Sequence, residues 1–246
     1  MAGLPGATGG ALTTLILDPA AFAGDEARVE GAAYRHLFRA KRLGVGDRLR
    51  VVDGAGAARW AEVAALDRRA GLLRLLEPAP AAEPAYRLEL LVATPKPERV
   101  SWLVEKATEL GAAAVRFVAS ERSPRSLGGG SRERLLRVAA AAVEQCGRSR
   151  VPEVTGVHPW AEVPALVAEI PDRWFLHPRP AAADAAPWRR EGAAGAVLVG
   201  PEGGWTDAEA EALRALGARP VRLGDRVLRV ETAAVVAAAA VLLVVR

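Results

Sequence analysis

Two rhythms of apolar and polar positions divide this chain of 246 residues. Over residues 11–78 the apolar positions come in short runs, at 12–17, 48–52, 58–63 and 71–76, each of strand length. Asp53-Gly54 and neighbouring glycines mark turns between them, and a helix is expected over 31–43. Residues 1–78 therefore read as a small β domain. Pro78, Pro80 and Pro84 follow closely, so residues 79–86 are expected to form a semi-rigid linker.

From residue 87 the rhythm changes to strands alternating with helices. A strand over 88–93 is ended by Pro95-Lys96-Pro97. A helix over 98–110 follows, with Val100, Leu103, Val104, Ala107 and Leu110 on one face and Gly111 closing it. Next come a strand over 114–118, a loop over 120–131 and a helix over 132–146. A short helix over 160–168 precedes a strand over 173–176 that ends in His177-Pro178. The apolar run 196–199 stops at Gly200-Pro201-Glu202-Gly203-Gly204. Thr206 and Glu209 have the spacing of a capping box, so a helix starts there, with Leu213 and Leu216 inward and Gly217 as its stop. A second short strand over 220–224 leads into a polar, Arg-rich turn over 225–232, and an apolar helix is expected over 233–245. This alternation predicts an α/β domain over 87–246, a parallel sheet with helices on both sides. The strand ends at His177, Gly200 and Gly224 are expected to share one edge of it, where open parallel sheets bind ligands.

Charge sharpens this picture. The net charge is +4, carried by 33 basic residues of which only Lys41, Lys96 and Lys106 are lysines. Arg35, Arg39, Lys41, Arg42, Arg48 and Arg50 cluster in the β domain with His36 among them and Asp47 alone against them. A second basic block runs from Arg116 to Arg150 and includes Arg122 and Arg125 beside Gly128-Gly129-Gly130. Each block suits a phosphate backbone, and each is also compatible with a plain solvated surface. The bias toward Arg, Ala, Gly and Pro fits a GC-rich genome, and the scarcity of Asn, Gln, Cys and Met fits a thermophile. A single cysteine, Cys146, allows no internal disulfide. No signal-like start is present, and the closing apolar run falls short of the roughly 20 residues a bilayer needs. A soluble, cytoplasmic protein without membrane contact is expected.

The glycine loop at 200–204 fits neither the dinucleotide fingerprint nor a lysine-bearing phosphate loop. Glu202 would repel a polyphosphate there. No metal site is expected, because His36, His158 and His177 lie far apart and Cys146 has no cysteine partner. His177 reads as a structural strand-end residue rather than a catalyst, and Cys146 as an inert buried thiol rather than a nucleophile. Gln145 is the only side-chain amide in the chain, placed at a helix end beside arginines, and could hydrogen-bond a nucleobase.

Four motifs then converge: Glu144-Gln145-Cys146-Gly147-Arg148-Ser149-Arg150-Val151-Pro152-Glu153; Leu176-His177-Pro178; Leu198-Val199-Gly200-Pro201-Glu202-Gly203-Gly204; and Leu223-Gly224-Asp225-Arg226-Val227-Leu228-Arg229-Val230-Glu231-Thr232-Ala233. With Pro95-Lys96 and Lys106-Ala107-Thr108-Glu109-Leu110-Gly111, they resemble the RsmE family of methyltransferases, of the knotted SPOUT superfamily, over essentially the whole chain. The resemblance implies S-adenosylmethionine as cofactor and methylation of N3 of one uridine in small-subunit (16S) ribosomal RNA, presented naked or in the assembled subunit. It also implies a PUA-like N-terminal β-barrel that binds RNA, a C-terminal trefoil knot through which residues 233–245 are threaded, and a homodimer. Pro97, where relatives commonly carry Gly, and Arg39-Ala40-Lys41-Arg42 depart from the family pattern outside the cofactor loops.

Carried over residue by residue, the resemblance assigns the cofactor to Leu176, His177 and Pro178, to Gly200, Pro201, Glu202, Gly203 and Gly204, and to Leu223, Gly224, Val227, Leu228 and Arg229. Arg229 and Arg226 are expected to stabilise the uracil anion by charge, and Glu231 to act as base or to orient Arg229. Gln145 is grouped with them. Arg35, His36, Arg39, Arg42, Lys96, Arg122, Arg125 and Arg148 are expected to hold RNA. Two other readings stay open at this stage: a methyltransferase of the same superfamily acting on transfer RNA or a ribose 2′-OH, and a non-catalytic RNA-binding or ribosome-assembly factor.

Overall fold

The computed structural model of the protein describes residues 13–123, 126–127, 132–178 and 188–245. The chain divides into two compact units, one of Met1–Glu83 with Val143–Val151, the other of Pro84–Ala142 with Pro152–Arg246.

The first unit is built on five strands: β1 (Thr14–Ile16), β2 (Glu26–Glu30), β3 (Arg48–Val52), β4 (Ala58–Leu66) and β5 (Ala70–Pro78). They lie in the order β1-β3-β4-β5-β2, antiparallel except where β1 runs parallel to β3. A short helix, α1 (Pro19–Ala23), starts where Asp18 accepts the Ala20 N–H at 2.9 Å. A second, α2 (Gly31–Tyr34), continues as a π-helical turn over Arg35–Ala40. Leu37, Leu49, Val51, Ala61, Val63 and Leu73 are fully buried and form the core. The Asp53-Gly54 turn falls where expected: Gly54 has a φ of +72°, and the Asp53 carboxylate accepts the N–H groups of Ala55, Gly56 and Ala57. β2 was not legible in the sequence because only Ala27 and Val29 face inward, each between exposed charged residues.

Residues 143–151 belong to this unit through specific contacts. Val143 packs with Val52 and Ala58, and Glu144 accepts the Ile16 N–H at 3.0 Å. Glu83 accepts from the Arg148 guanidinium at 2.7 Å and from the backbone of Ser149 and Arg150 at 2.8 and 2.9 Å. Burial alone would raise the Glu83 pKa, but these donors outweigh it and hold the carboxyl below its ordinary value.

The second unit is a six-stranded sheet: β6 (Arg87–Ala93), β7 (Ala114–Ala119), β8 (Glu153–Pro159), β9 (Asp172–Leu176), β10 (Ala194–Val199) and β11 (Arg219–Val221). Every pairing is parallel, in the order β11-β9-β10-β6-β7-β8. The central strands β6 and β10 are nearly continuous apolar runs because both their faces are covered. β8 escaped the sequence reading: it is an edge strand containing Gly156, and Val154 is its single buried residue. The helices are α3 (Pro97–Leu110), α4 (Arg132–Cys146), α5 (Val163–Val167, entered through a 3₁₀ turn at Trp160–Glu162), α6 (Asp207–Ala215) and α7 (Val230–Ala239). The capping box of α6 is present, with Glu209 N to Thr206 Oγ1 at 3.2 Å and Thr206 N to Glu209 Oε2 at 2.9 Å. α7 runs on as a π-helical turn over Ala240–Val244 and starts three residues before the expected 233, so the Arg-rich turn ends at Arg229.

A buried polar cluster fixes the start of β9. Asp172 accepts the Tyr86 hydroxyl at 2.6 Å and the N–H groups of Glu191 and Gly192 at 3.1 Å. Burial would raise the Asp172 pKa; the three donors, with Arg219 at 3.9 Å, hold it below its ordinary value, while burial and that carboxylate push the Tyr86 phenol up. Among the described residues no helix is long and apolar enough to cross a membrane.

Candidate active site

The sheet order places β11, β9 and β10 side by side, so three loops leave one edge together. They enclose a cavity of about 270 Å³. Leu176, His177 and Pro178 form one wall, residues 200–204 with Trp205 a second, and residues 222–224 with 226–228 a third. The first turn of α7 closes it through Val230 and Ala233. Most of this lining is apolar, and Glu202, His177, Arg222 and Arg226 supply the charged or titratable side chains. Such a pocket suits a small, partly apolar ligand held by a few placed polar groups.

The loops are tied to one another. His177 N donates to Val221 O at 3.0 Å, and Trp205 Nε1 donates to Leu176 O at 3.2 Å. Gly204 N donates to Pro201 O at 2.9 Å, and Arg122 Nη1 reaches in to Gly203 O at 2.9 Å. In the third loop Arg222 donates to Gly224 O at 2.9 Å and to Asp225 Oδ1 at 2.5 Å. Gly204 and Gly224 have φ of +72° and +94°, a left-handed conformation that a side chain would strain.

The structure thus gathers twelve of the sequence-expected cofactor residues at one cavity: Leu176, His177, Pro178, Gly200, Pro201, Glu202, Gly203, Gly204, Leu223, Gly224, Val227 and Leu228. Arg226 lines it as well. Arg229, the N-cap of α7, is not part of the lining; its side chain is exposed and makes no ion pair or hydrogen bond among the described residues. Glu231 is buried, and its ion-pair partner is Arg99 at 3.7 Å rather than Arg229. Gln145 sits exposed near the end of α4, in the stretch that belongs to the first unit, and does not line the cavity.

The RNA-contact candidates divide. Arg35, His36, Arg39 and Arg42 are exposed, with the Arg39 guanidinium 5.9 Å from the centre of the Tyr34 ring. Lys96 caps α3 and is exposed; Arg122 is exposed and bound to the glycine loop. Arg148 is a correction: its side chain is 4% exposed and holds Glu83, so its charge is used inside the unit rather than on RNA. Arg50 leaves the basic cluster for the same reason, being buried with one Nη on Gly147 O. Arg125 lies outside the described residues. Sequence reasoning missed Trp205, Arg222 and Arg99. Trp205 had a signal, an aromatic directly after a glycine run, whereas the Arg99–Glu231 pair joins positions 132 apart and had none.

A parallel α/β sheet with a three-loop cavity at its edge, joined to a small β unit, defines the class: the family described as RNA methyltransferase domain matches residues 82–242, and the RNA methyltransferase PUA domain matches residues 29–76. The chain is 32% identical to the ribosomal RNA small subunit methyltransferase E of Mycobacterium bovis, over 89% of this chain and 86% of that protein. It is 32% identical to the protein of the same name from Synechocystis, over 85% and 70%. The crystal structure of a ribosomal RNA small subunit methyltransferase E from Neisseria gonorrhoeae bound to S-adenosyl methionine superposes with a TM-score of 0.79 at 25% identity, covering 94% of this chain and 96% of that one. The chain belongs to the ribosomal RNA small subunit methyltransferase E family.

Proposed function

We propose that the protein methylates N3 of one uridine in small-subunit ribosomal RNA, using S-adenosylmethionine held in the three-loop cavity. The observation that carries this reading is the convergence of the three loops on one apolar cavity in a chain of this family. The residues fit that cofactor: left-handed glycines bring backbone amides and carbonyls close, and Leu176, Val199, Trp205 and Leu228 offer apolar walls to an adenine. The exposed Glu202 carboxylate is compatible with a sulfonium and disfavours phosphate. The cofactor would supply an electrophilic methyl group.

The protein's own part is to hold the uracil edge in line with that group and to stabilise charge as the N3 proton leaves. Arg226 at the cavity and the exposed guanidinium of Arg229 stabilise the uracil anion, with the positive end of α7 behind them. Glu231, held by Arg99, fixes the first turn of α7 that carries Arg229. The target base must be unpaired, because N3 lies on its pairing edge. Exposed Arg35, Arg39, Arg42 and Arg122 hold surrounding phosphates. The C-terminal helix is threaded as a trefoil knot, and its outer residues Val236, Leu243 and Val244, with Trp102 on α3, bury against a second copy in a homodimer; their exposures of 40%, 69%, 75% and 41% support that pairing. The enzyme works in the cytoplasm, on free RNA or on the subunit.

Arg229→Ala tests the catalytic assignment. The variant should bind S-adenosylmethionine and keep its thermal unfolding midpoint, while methyl transfer falls on the order of a hundredfold. Unimpaired transfer would remove Arg229 from the chemistry.

A further inference from the structure

A second cavity, of about 610 Å³, opens at the same sheet edge beyond the ends of β7 and β8. Its lining combines Ala119, Ser120 and Glu121 with Trp160, and with Thr206 and Glu209 at the start of α6. Three observations define what it can take. The first is an aromatic surface: Trp160 is half-buried, and its ring stands 5.5 Å from that of Trp205, which lines the methyl-donor cavity. The two cavities therefore flank one pair of indoles.

The second is the wall's polarity. Glu209 is 6% exposed, and each of its oxygens takes one backbone N–H, from Glu121 at 2.8 Å and from Thr206 at 2.9 Å, leaving lone pairs for a further donor. With Glu121 exposed beside it, the wall is anionic: it repels a phosphate and accepts N–H groups. The third is an unmet need. Ser120 is 2% exposed, and its Oγ has no hydrogen-bond partner among the described residues. An unpaired buried hydroxyl is costly to hold, and it makes this part of the cavity wall polar rather than apolar.

We infer that this cavity seats an unpaired nucleobase of the RNA substrate, one bearing an exocyclic amine and flanking the methylated position. The base stacks on Trp160 and turns its amine to the Glu209 side. Arg122, two residues past Ser120 and exposed, supplies a cation near this anionic wall for a phosphate of the same strand. Stacking on an aromatic side chain supplies affinity from any base, and the acidic wall selects those with an amine. The inference rests on the RNA methyltransferase reading and adds to it a specificity pocket distinct from the methyl-donor site.

The test uses full-length protein and a single-stranded ribosomal RNA fragment spanning the methylated uridine. Trp160→Ala should weaken binding of that fragment roughly tenfold, and Trp160→Phe far less, with the affinity for S-adenosylmethionine unchanged in both. With wild-type protein, an abasic substitution at one flanking position should cost the same roughly tenfold, and should cost nothing further in Trp160→Ala. Replacing the base at that position by its analogue without the amine should weaken wild-type binding several-fold, an arm that needs no variant to fold. Equal binding by wild type and Trp160→Ala, or an abasic penalty that persists undiminished in the variant, would overturn the inference. Wild-type protein that neither binds nor methylates any RNA would overturn the functional reading, and this inference with it.

Discussion

Glu83 and Arg148 show how much a single pair can decide. Arg148 is 4% exposed on its side chain and Glu83 20%, so the charges answer each other out of water. Removing the carboxylate takes an acceptor from the buried guanidinium and from the Ser149 and Arg150 N–H groups, a loss of about 3 kcal/mol. Glu83→Ala should therefore lower the urea midpoint strongly at pH 7. The pH dependence has a definite sign. Glu83 has a pKa depressed below its ordinary 4.5, so its contribution is complete above that value and fades as pH falls through the lower folded one. The gap between wild type and Glu83→Ala should close in acid; a gap that persists unchanged would show that the pair does not carry this stability. In the sequence Arg148 sits in a run of basic residues, a pattern that suggests an RNA contact. Charge in a sequence does not say which side of the surface it faces, and the partner was 65 residues away.

At the scale of elements, the loops and caps were the most legible parts. The capping box at Thr206 and Glu209, the stop at Gly217 and the strand ends at His177 and Gly200 were all local, written within a few residues. Two of the four edge strands were not legible: β2 and β8 each bury too few apolar side chains to leave a period. The start of α7 was missed because Glu231 and Thr232 look like turn residues, whereas Glu231 is buried in the first turn of the helix with Arg99 at 3.7 Å. Gly204 offers a test of the glycine loop as a ligand wall. A methyl group there would touch nothing within 4 Å, so Gly204→Ala acts through its φ of +72° alone. A left-handed non-glycine residue costs about 1–2 kcal/mol, and the loop can escape it only by moving. Calorimetry should find S-adenosylmethionine bound roughly tenfold more weakly with little change in thermal midpoint; wild-type affinity would mean the loop is not part of the site.

At the scale of the molecule, the division of labour follows from which contacts are local. The sheet edge gathers the chemistry, since the last three strands are neighbours, with β9 between β11 and β10 rather than in chain order. The strand alternation made a parallel sheet readable, but the strand order was not, because pairing partners lie apart in sequence and burial separates central from edge strands without ordering them. The basic β unit carries the exposed Arg35, Arg39 and Arg42 and the stretch that matches the family's PUA domain. The claim that joins the two is a methyl group delivered to one pairing edge. Its most direct test is incubation of small-subunit ribosomal RNA lacking the modification with the protein and isotopically labelled S-adenosylmethionine, followed by nuclease digestion and mass spectrometry. The account predicts label in a single N3-methyluridine, lost with Arg229→Ala; label on a ribose 2′-oxygen, on transfer RNA in preference, or on no nucleotide at all would contradict it.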